Sequence, residues 1–265
     1  MSNLNQKDIQ KHLTTSILGR KIICLDMVNS TNSEAKSRAP EAVEGTIILS
    51  EEQTAGRGRH GRQWISPKGK GIWMSLILRP RINAQKVPQI TQIAAAALFL
   101  ALNQMGIKKV EIKWPNDILV NGRKLSGILT EMQSKGNAVD HVILGIGLNV
   151  NMNRQDFPED LQQQATSLYL ETGKVWGRSQ LIAEIINAFE PLYMQYVKAG
   201  DLSSTLNICK EESAVIGARV LLHNQNLEQE AEVLDLGPEG ELIVRTADGT
   251  ITSIVTGEVS LRVLH

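Results

Sequence analysis

Cysteine is almost missing from this 265-residue chain. The two present, Cys24 and Cys209, show no metal or redox spacing and read as ordinary reduced thiols. Long apolar runs are missing as well. The longest candidate, IAAAALFLAL from Ile93 to Leu102, is too short to span a bilayer, and the N-terminal MSNLNQKDIQKHL has no apolar signal core. A cytoplasmic protein without a membrane partner is expected. There is no net charge either: Lys+Arg and Asp+Glu each number 28. That argues against a globally basic nucleic-acid binder.

One absence is local. Between Gln53 and Val110 there is no Asp or Glu, while ten Lys and Arg residues fall in that window. A local anion site is one explanation, and pairing with acids elsewhere in the fold is the other. What is present is ordinary for a soluble globular protein: 42% hydrophobic and 21% charged residues. The length suits one large domain, or one large and one small.

The pattern along the chain predicts an α+β fold. KIICLDMV (21–28) reads as a strand. STNSEAKSRA then reads as a helix, with Thr31 and Glu34 placed for a capping box. GTIILSEEQ and GIWMSLILRP are β-type runs. VPQITQIAAAALFLALNQMG is a buried helix, with Pro88 in its first turn and Gly106 at its C-terminal end. Asn121-Gly122 marks a hairpin between two strands, and SKGN (134–137) marks a second turn before DHVILGIGLNVN. A long helix over 179–200 follows, with a bend expected near Pro191. Beyond residue 213 short strands alternate with turns, the pattern of a small β-barrel. The expected domains are therefore 1–212 and 213–265, the first a mixed, mostly antiparallel sheet flanked by helices.

Four motifs bear on chemistry. GRGRHG (Gly56 to Gly61) matches G-x-G-x-x-G, but no helix follows it and no acid appears before Glu111, so it fails as a dinucleotide fingerprint. Glycines that let backbone N–H groups approach an anion, interleaved with Arg57, Arg59 and Arg62, still suit phosphate. A solvated basic loop is the bland alternative. KWPND (113–117) holds Lys and Asp at one strand end, for a base, a water, a metal or only a salt bridge. RKLSG (123–127) follows the hairpin tip. GIGLNVN (145–151) places two glycines inside a strand, where either a bulge or a close approach explains them.

In order, STN, GRGRHGRQW, KWPND, RKLSGIL and GIGLNVN resemble the biotin–protein ligases, or biotin–[acetyl-CoA-carboxylase] ligases. Looser similarity runs from about residue 18 to the C-terminal GEVSLR. The resemblance implies a class II aminoacyl-tRNA-synthetase-like catalytic domain with an SH3-like C-terminal cap. It implies formation of biotinyl-5′-AMP from biotin and ATP with Mg²⁺, then transfer to a lysine of a biotin carboxyl carrier domain. No prosthetic group is expected.

By the same resemblance, Ser30, Thr31, Asn32 and Gln53 would hold biotin's ureido ring, with Gly56, Arg57, Gly58, Trp64, Gly127, Gly145 and Gly147 completing the biotin site. Lys124 would contact biotin's carboxylate and the α-phosphate and act in catalysis together with Arg59. Arg57, Arg59, Arg62, Trp64, Asn116, Asp117, Lys124 and Asn149 would surround the adenylate, and Asp117 would reach Mg²⁺. The arginine loop would close over the intermediate.

There are departures. Asn29 replaces a common acid before STN, and LNICKEESAVIGARV lacks a tryptophan often found there. Trp176 is a candidate for stacking on adenine. About 20 residues precede the first core strand, fewer than an independent DNA-binding domain needs. A monofunctional ligase is therefore expected, with a homodimer as a further partner. The competing readings are a lipoate–protein ligase, a non-catalytic biotin-binding protein, and a basic-loop RNA binder. The last lacks interleaved aromatics beyond Trp64 and Trp73.

Overall fold

Residues 3–135, 138–224, 227–255 and 260–263 are described by the structure, a computed structural model. The SKGN turn and the closing GEVSLR fall partly outside them. In chain order come α1 (Gln6–Gln10), β1 (Ile22–Val28), α2 (Thr31–Arg38), β2 (Thr46–Gln53), β3 (Gly71–Leu78) and α3 (Gln89–Gln104). Then come β4 (Val110–Lys113), β5 (Asp117–Val120), β6 (Arg123–Lys135), β7 (Ala138–Asn149), α4 (Leu168–Thr172), α5 (Arg178–Ala199) and α6 (Ser203–Glu211). The C-terminal strands are β8 (Arg219–Asn224), β9 (Leu227–Leu236), β10 (Leu242–Thr246), β11 (Ile251–Ile254) and β12 (Ser260–Val263).

The first seven strands form one sheet in the order β1-β2-β3-β7-β6-β5-β4. Only the β1–β2 pair is parallel. Its crossover is α2, which lies on one face of β2 and β3. Strict alternation sorts the side chains. Ile47, Leu49, Ile72, Met74, Leu76, Leu144, Ile146 and Leu148 pack against α3 and α5 in the main core. On the other face Ile48, Ile77 and Ile143 lie under Ala35 of α2 and Ala39 at its C-cap. Further along that face, Trp73 packs on Met152 and Phe157, with Trp64 and Leu170 at their edge. Between these two apolar patches lies a strip of small and polar residues.

The expected buried helix is α3, and Gly106 follows it at φ +85°, a conformation suited to glycine. Asn121 and Gly122 both take positive φ in the β5–β6 hairpin, as the sequence predicts. Helix α5 runs through Pro191 as one element. One expectation is corrected. The capping box on α2 is absent: Ser30 is the N-cap without a side-chain cap bond, and Glu34 bonds Arg38 instead.

The C-terminal strands form a second sheet, β11-β10-β9-β8-β12, with antiparallel pairing throughout. It docks through a turn. The Gly240 carbonyl accepts from Gln92 Nε2 at 2.6 Å and Trp114 Nε1 at 3.0 Å. Glu239 accepts from Gln89. The connecting residues add to the first sheet's edge, where Ile112 N donates to Glu212 O and Ala214 N to Ile112 O. Among the described residues no helix is long and apolar enough to cross a membrane.

Candidate active site

Ser75 sits at the centre of the polar strip, fully buried in an otherwise apolar strand. Its hydroxyl lies 2.8 Å from Thr31 Oγ1 and 2.6 Å from Asn32 Oδ1. Gln53 Oε1 accepts from the Thr31 backbone N–H at 2.8 Å and its hydroxyl at 3.1 Å, while Gln53 Nε2 donates to Ser66. Asn32 Nδ2 donates to Glu131 Oε2 at 2.8 Å and to Leu129 O. STN and Gln53 are thus brought together, as expected, into one network of hydroxyls and amides. Buried polar groups of both kinds, donor and acceptor, suit a neutral polar ligand.

Glycine makes the floor of this strip. Gly145 and Gly147 pair in unbroken register with Ser75 and Trp73, so no bulge explains them. A Cβ on Gly145 would stand 2.2 Å from Asn32 Oδ1, and one on Gly147 would stand 2.5 Å from Trp64 Nε1. Gly127 likewise meets the Trp64 ring at 2.9 Å. Close approach is the reason for all three.

The loop from Gln53 to Ser66 folds as a narrow hairpin. Arg57 bridges to Gln63, and Trp64 N donates to Gly56 O at 2.9 Å. A Cβ on Gly56 would stand 2.4 Å from Trp64 O, and Gly58 N donates to Arg62 O. The hairpin lays the Trp64 ring over Gly127 and Gly147, and the Lys124 ammonium lies 5.3 Å from the ring centroid. Two arginines fasten the tip on opposite sides. Arg59 Nη1 donates to Asn116 Oδ1 at 3.0 Å, and Arg57 Nη2 donates to Glu131 Oε2 at 3.1 Å. Arg57 thereby meets a carboxylate that also holds the Asn32 amide.

Beyond Gly127 the strip becomes cationic. Lys124 Nζ stands 2.7 Å from Asp117 Oδ1. Asp117 pairs in register with both Lys113 and Gly127. Burial holds the Lys113 ammonium below its ordinary pKa; Asp117 opposes this, and Lys124 and Arg62 add to it. Burial also lowers Arg59, against Asp117 and with Arg62. Lys124, Lys113 and Arg59 thus bear on one carboxylate with Arg62 close to the last two, leaving an excess of positive charge.

The acid-free window is only partly spent here. Lys68, Lys70 and Arg79 pair with Asp26, Asp156 and Asp140 at other places in the fold. For these residues the pairing with distant acids holds, while Arg59 and Arg62 stay beside the cationic end of the strip.

Asp117 was expected to reach magnesium. Among the described residues, no three His, Cys, Asp or Glu side chains gather to hold a metal. Asp117 itself is engaged by Lys124. This donor set does not fit a resident ion. Asn149 Nδ2 donates to Thr166 O, and Trp176 is held by its N–H groups to Asn151 and Thr172.

Sequence reasoning missed Ser75, Lys113 as a site cation, and Glu131. A lone serine in the apolar run GIWMSLIL was the available signal for the first.

A neutral polar strip running over a glycine floor into a cationic pole suits a ligand with a neutral polar head and an anionic tail. The comparisons agree. The model of the Biotin/lipoate A/B protein ligase family matches residues 24–149. The "Bifunctional ligase/repressor BirA" of Bacillus spizizenii is 40% identical over 260 residues, 97% of this chain and 79% of that protein. The "Biotin--[acetyl-CoA-carboxylase] ligase" of Mycobacterium tuberculosis is 28% identical, over 98% of this chain and 96% of that one. The Aquifex aeolicus biotin protein ligase in complex with biotin and ATP superposes with a TM-score of 0.80 at 29% identity, covering 92% of this chain and all of that one. The chain belongs to the biotin/lipoate protein ligase family, among its biotin–protein ligases.

Proposed function

We propose that this chain adenylates biotin and transfers it to a lysine of a biotin carboxyl carrier domain. One observation carries this: the amide–hydroxyl pocket and the cationic pole are joined by the floor of Gly145, Gly147 and Gly127. Biotin has the same two ends, a neutral ureido head and a carboxylate tail. The head would sit at Thr31, Asn32, Gln53 and Ser75, with Ser30 beside them. The tail would reach Lys124.

In the first step a biotin carboxylate oxygen bonds to the α-phosphorus of ATP. The P–O bond to pyrophosphate breaks, and pyrophosphate leaves with the electron pair. Two anions meet, so Lys124, Lys113, Arg59 and Arg62 supply the charge that stabilises the crowded phosphorus. In the second step the acceptor lysine, as the free amine, attacks the acyl carbon. The acyl C–O bond breaks, AMP leaves with its electron pair, and the proton on the new amide nitrogen passes to water. Asn116 holds Arg59 at the pole. When bound, Mg²⁺ neutralises phosphate charge, and it would arrive on the nucleotide rather than in a protein cage. We assign residues 1–212 to catalysis and 213–265 to the cap, docked through Gly240.

The test is ATP–pyrophosphate exchange by the purified protein with Mg²⁺ and either biotin or lipoate. Exchange with biotin alone is expected. Exchange with lipoate alone would overturn the substrate, and no exchange despite biotin binding would leave a binding protein.

A further inference from the structure

Glu131 lies on β6, beside the amide network but outside every motif the sequence singled out. Its side chain is 19% exposed. Oε1 accepts from Lys36 Nζ at 2.6 Å, and Oε2 accepts from Asn32 Nδ2 at 2.8 Å. Arg57 Nη2 reaches the same carboxylate at 3.1 Å and 3.4 Å. Lys36 and Asn32 belong to α2, which packs on the sheet core. Arg57 belongs to the hairpin loop, whose tip stands away from that core.

The three donors are therefore not equivalent. Two come from a packed helix and keep the carboxylate in place whatever the loop does. The third comes from the segment that must move if a ligand is to reach the floor beneath Trp64. Burial raises the Glu131 carboxyl pKa, but Lys36, Asn32 and Arg57 together bring it below the ordinary value. The post is charged at neutral pH and ready for a guanidinium.

We propose that Glu131 is a positioning residue: a carboxylate post, fixed by Lys36 and Asn32, onto which Arg57 docks to close the glycine–arginine loop over the amide pocket. The proposal rests on the adenylation reading for its role in catalysis. Asn32 ties the two together, since the same carboxylate orients its amide and holds the loop. An exposed ion pair alone would contribute little. Here removing the charge leaves Lys36 and Arg57 facing each other without a counter-charge, and takes the ionic acceptor from a buried amide.

The experiment is a double-mutant cycle of Glu131→Gln and Arg57→Gln in the intact protein, with two readouts. The first is trypsin cleavage after Arg59 and Arg62 in the free protein, which needs no activity. The second is release of biotinyl-AMP after a single turnover. Each single variant is expected to speed both by roughly fivefold to tenfold, and the double variant to be no faster than either. High salt should accelerate cleavage of the wild type but not of Glu131→Gln. Additive effects, or unchanged cleavage in Glu131→Gln, would overturn the post. A protein that forms no biotinyl-AMP but shows the coupled cleavage would sink the adenylation reading and leave the post standing.

Discussion

Lys124 and Gly127 face the same side of the sheet although they are three residues apart. Strict alternation would put them on opposite faces. The register shifts between Ile118 and Leu119: Ile118 pairs with Ser126 and Leu119 with Lys124, so Leu125 is an extra residue in β6. This bulge turns Lys124 back toward Asp117 and Trp64. The backbone of Lys124 is fixed on its other side, donating to Gln164 O and accepting from Thr166 N.

Lys124→Ala is therefore expected to fold and to lose adenylation. Its backbone bonds do not depend on the side chain, and its charge sits where two anions must meet. The exchange rate should fall by about a hundredfold to a thousandfold, the range seen when a preorganised charge partner is removed. Lys124→Met keeps the stem over Trp64 and should be equally inactive. A near-wild-type rate in either variant would remove Lys124 from the reaction.

The floor gives a second expectation. In Gly145→Ala the new methyl would lie 2.2 Å from Asn32 Oδ1, too close for any real contact, and Asn32 would have to move. That breaks its bonds to Ser75 and Glu131. Biotin affinity should drop by roughly tenfold or more, while the nucleotide end is spared. Calorimetric titration with biotin and with ATP separates the two. Equal losses for both ligands would mean general damage to the sheet rather than a defect in the pocket.

Much of this was legible in the sequence, and the reasons for what was not are physical. Strands and α3 announced themselves because burial on one or both faces imposes a hydrophobic period. STN, Gln53 and Lys124 carried a resemblance that named their neighbourhood. The direction of Arg57 was not legible, because its partner Glu131 is 74 residues away and nothing local marks the pair. The bulge at Leu125 was hidden for a similar reason: RKLSG has no glycine or proline at the extra residue. Thr31 and Glu34 did fit a capping box, but the tertiary acceptor Gln53 took the Thr31 donors.

Trp114 makes a third case. It lies between Lys113 and the Pro115-Asn116-Asp117 turn, yet its indole N–H points away from the pole and donates to Gly240 O. Trp114→Phe keeps an aromatic ring but removes the donor and part of the buried indole. Gln92 still donates to the same carbonyl, so the loss should be about 1 kcal/mol and the docking should survive. Thermal unfolding should show a modest drop in midpoint with biotin binding retained. A loss of several kcal/mol would show that the indole's packing, beyond its one bond, holds the C-terminal sheet in place.

Acid stability supplies the last expectation. Burial raises the Glu131 carboxyl pKa, but Lys36, Asn32 and Arg57 outweigh it, so the folded value lies below the ordinary one. A depressed carboxyl pKa means the unfolded chain takes up its proton first as pH falls. The stability from this carboxylate is thus fully present above the ordinary carboxylate range, and it is lost as pH drops through the folded value. Glu131→Gln has no such proton to bind. Unfolding midpoints of wild type and Glu131→Gln should therefore differ by a constant gap near neutral pH, and the gap should close in acid. A gap that stays constant throughout would show that the carboxylate gains nothing from its three donors, and that the network around Asn32 is held by geometry rather than by charge.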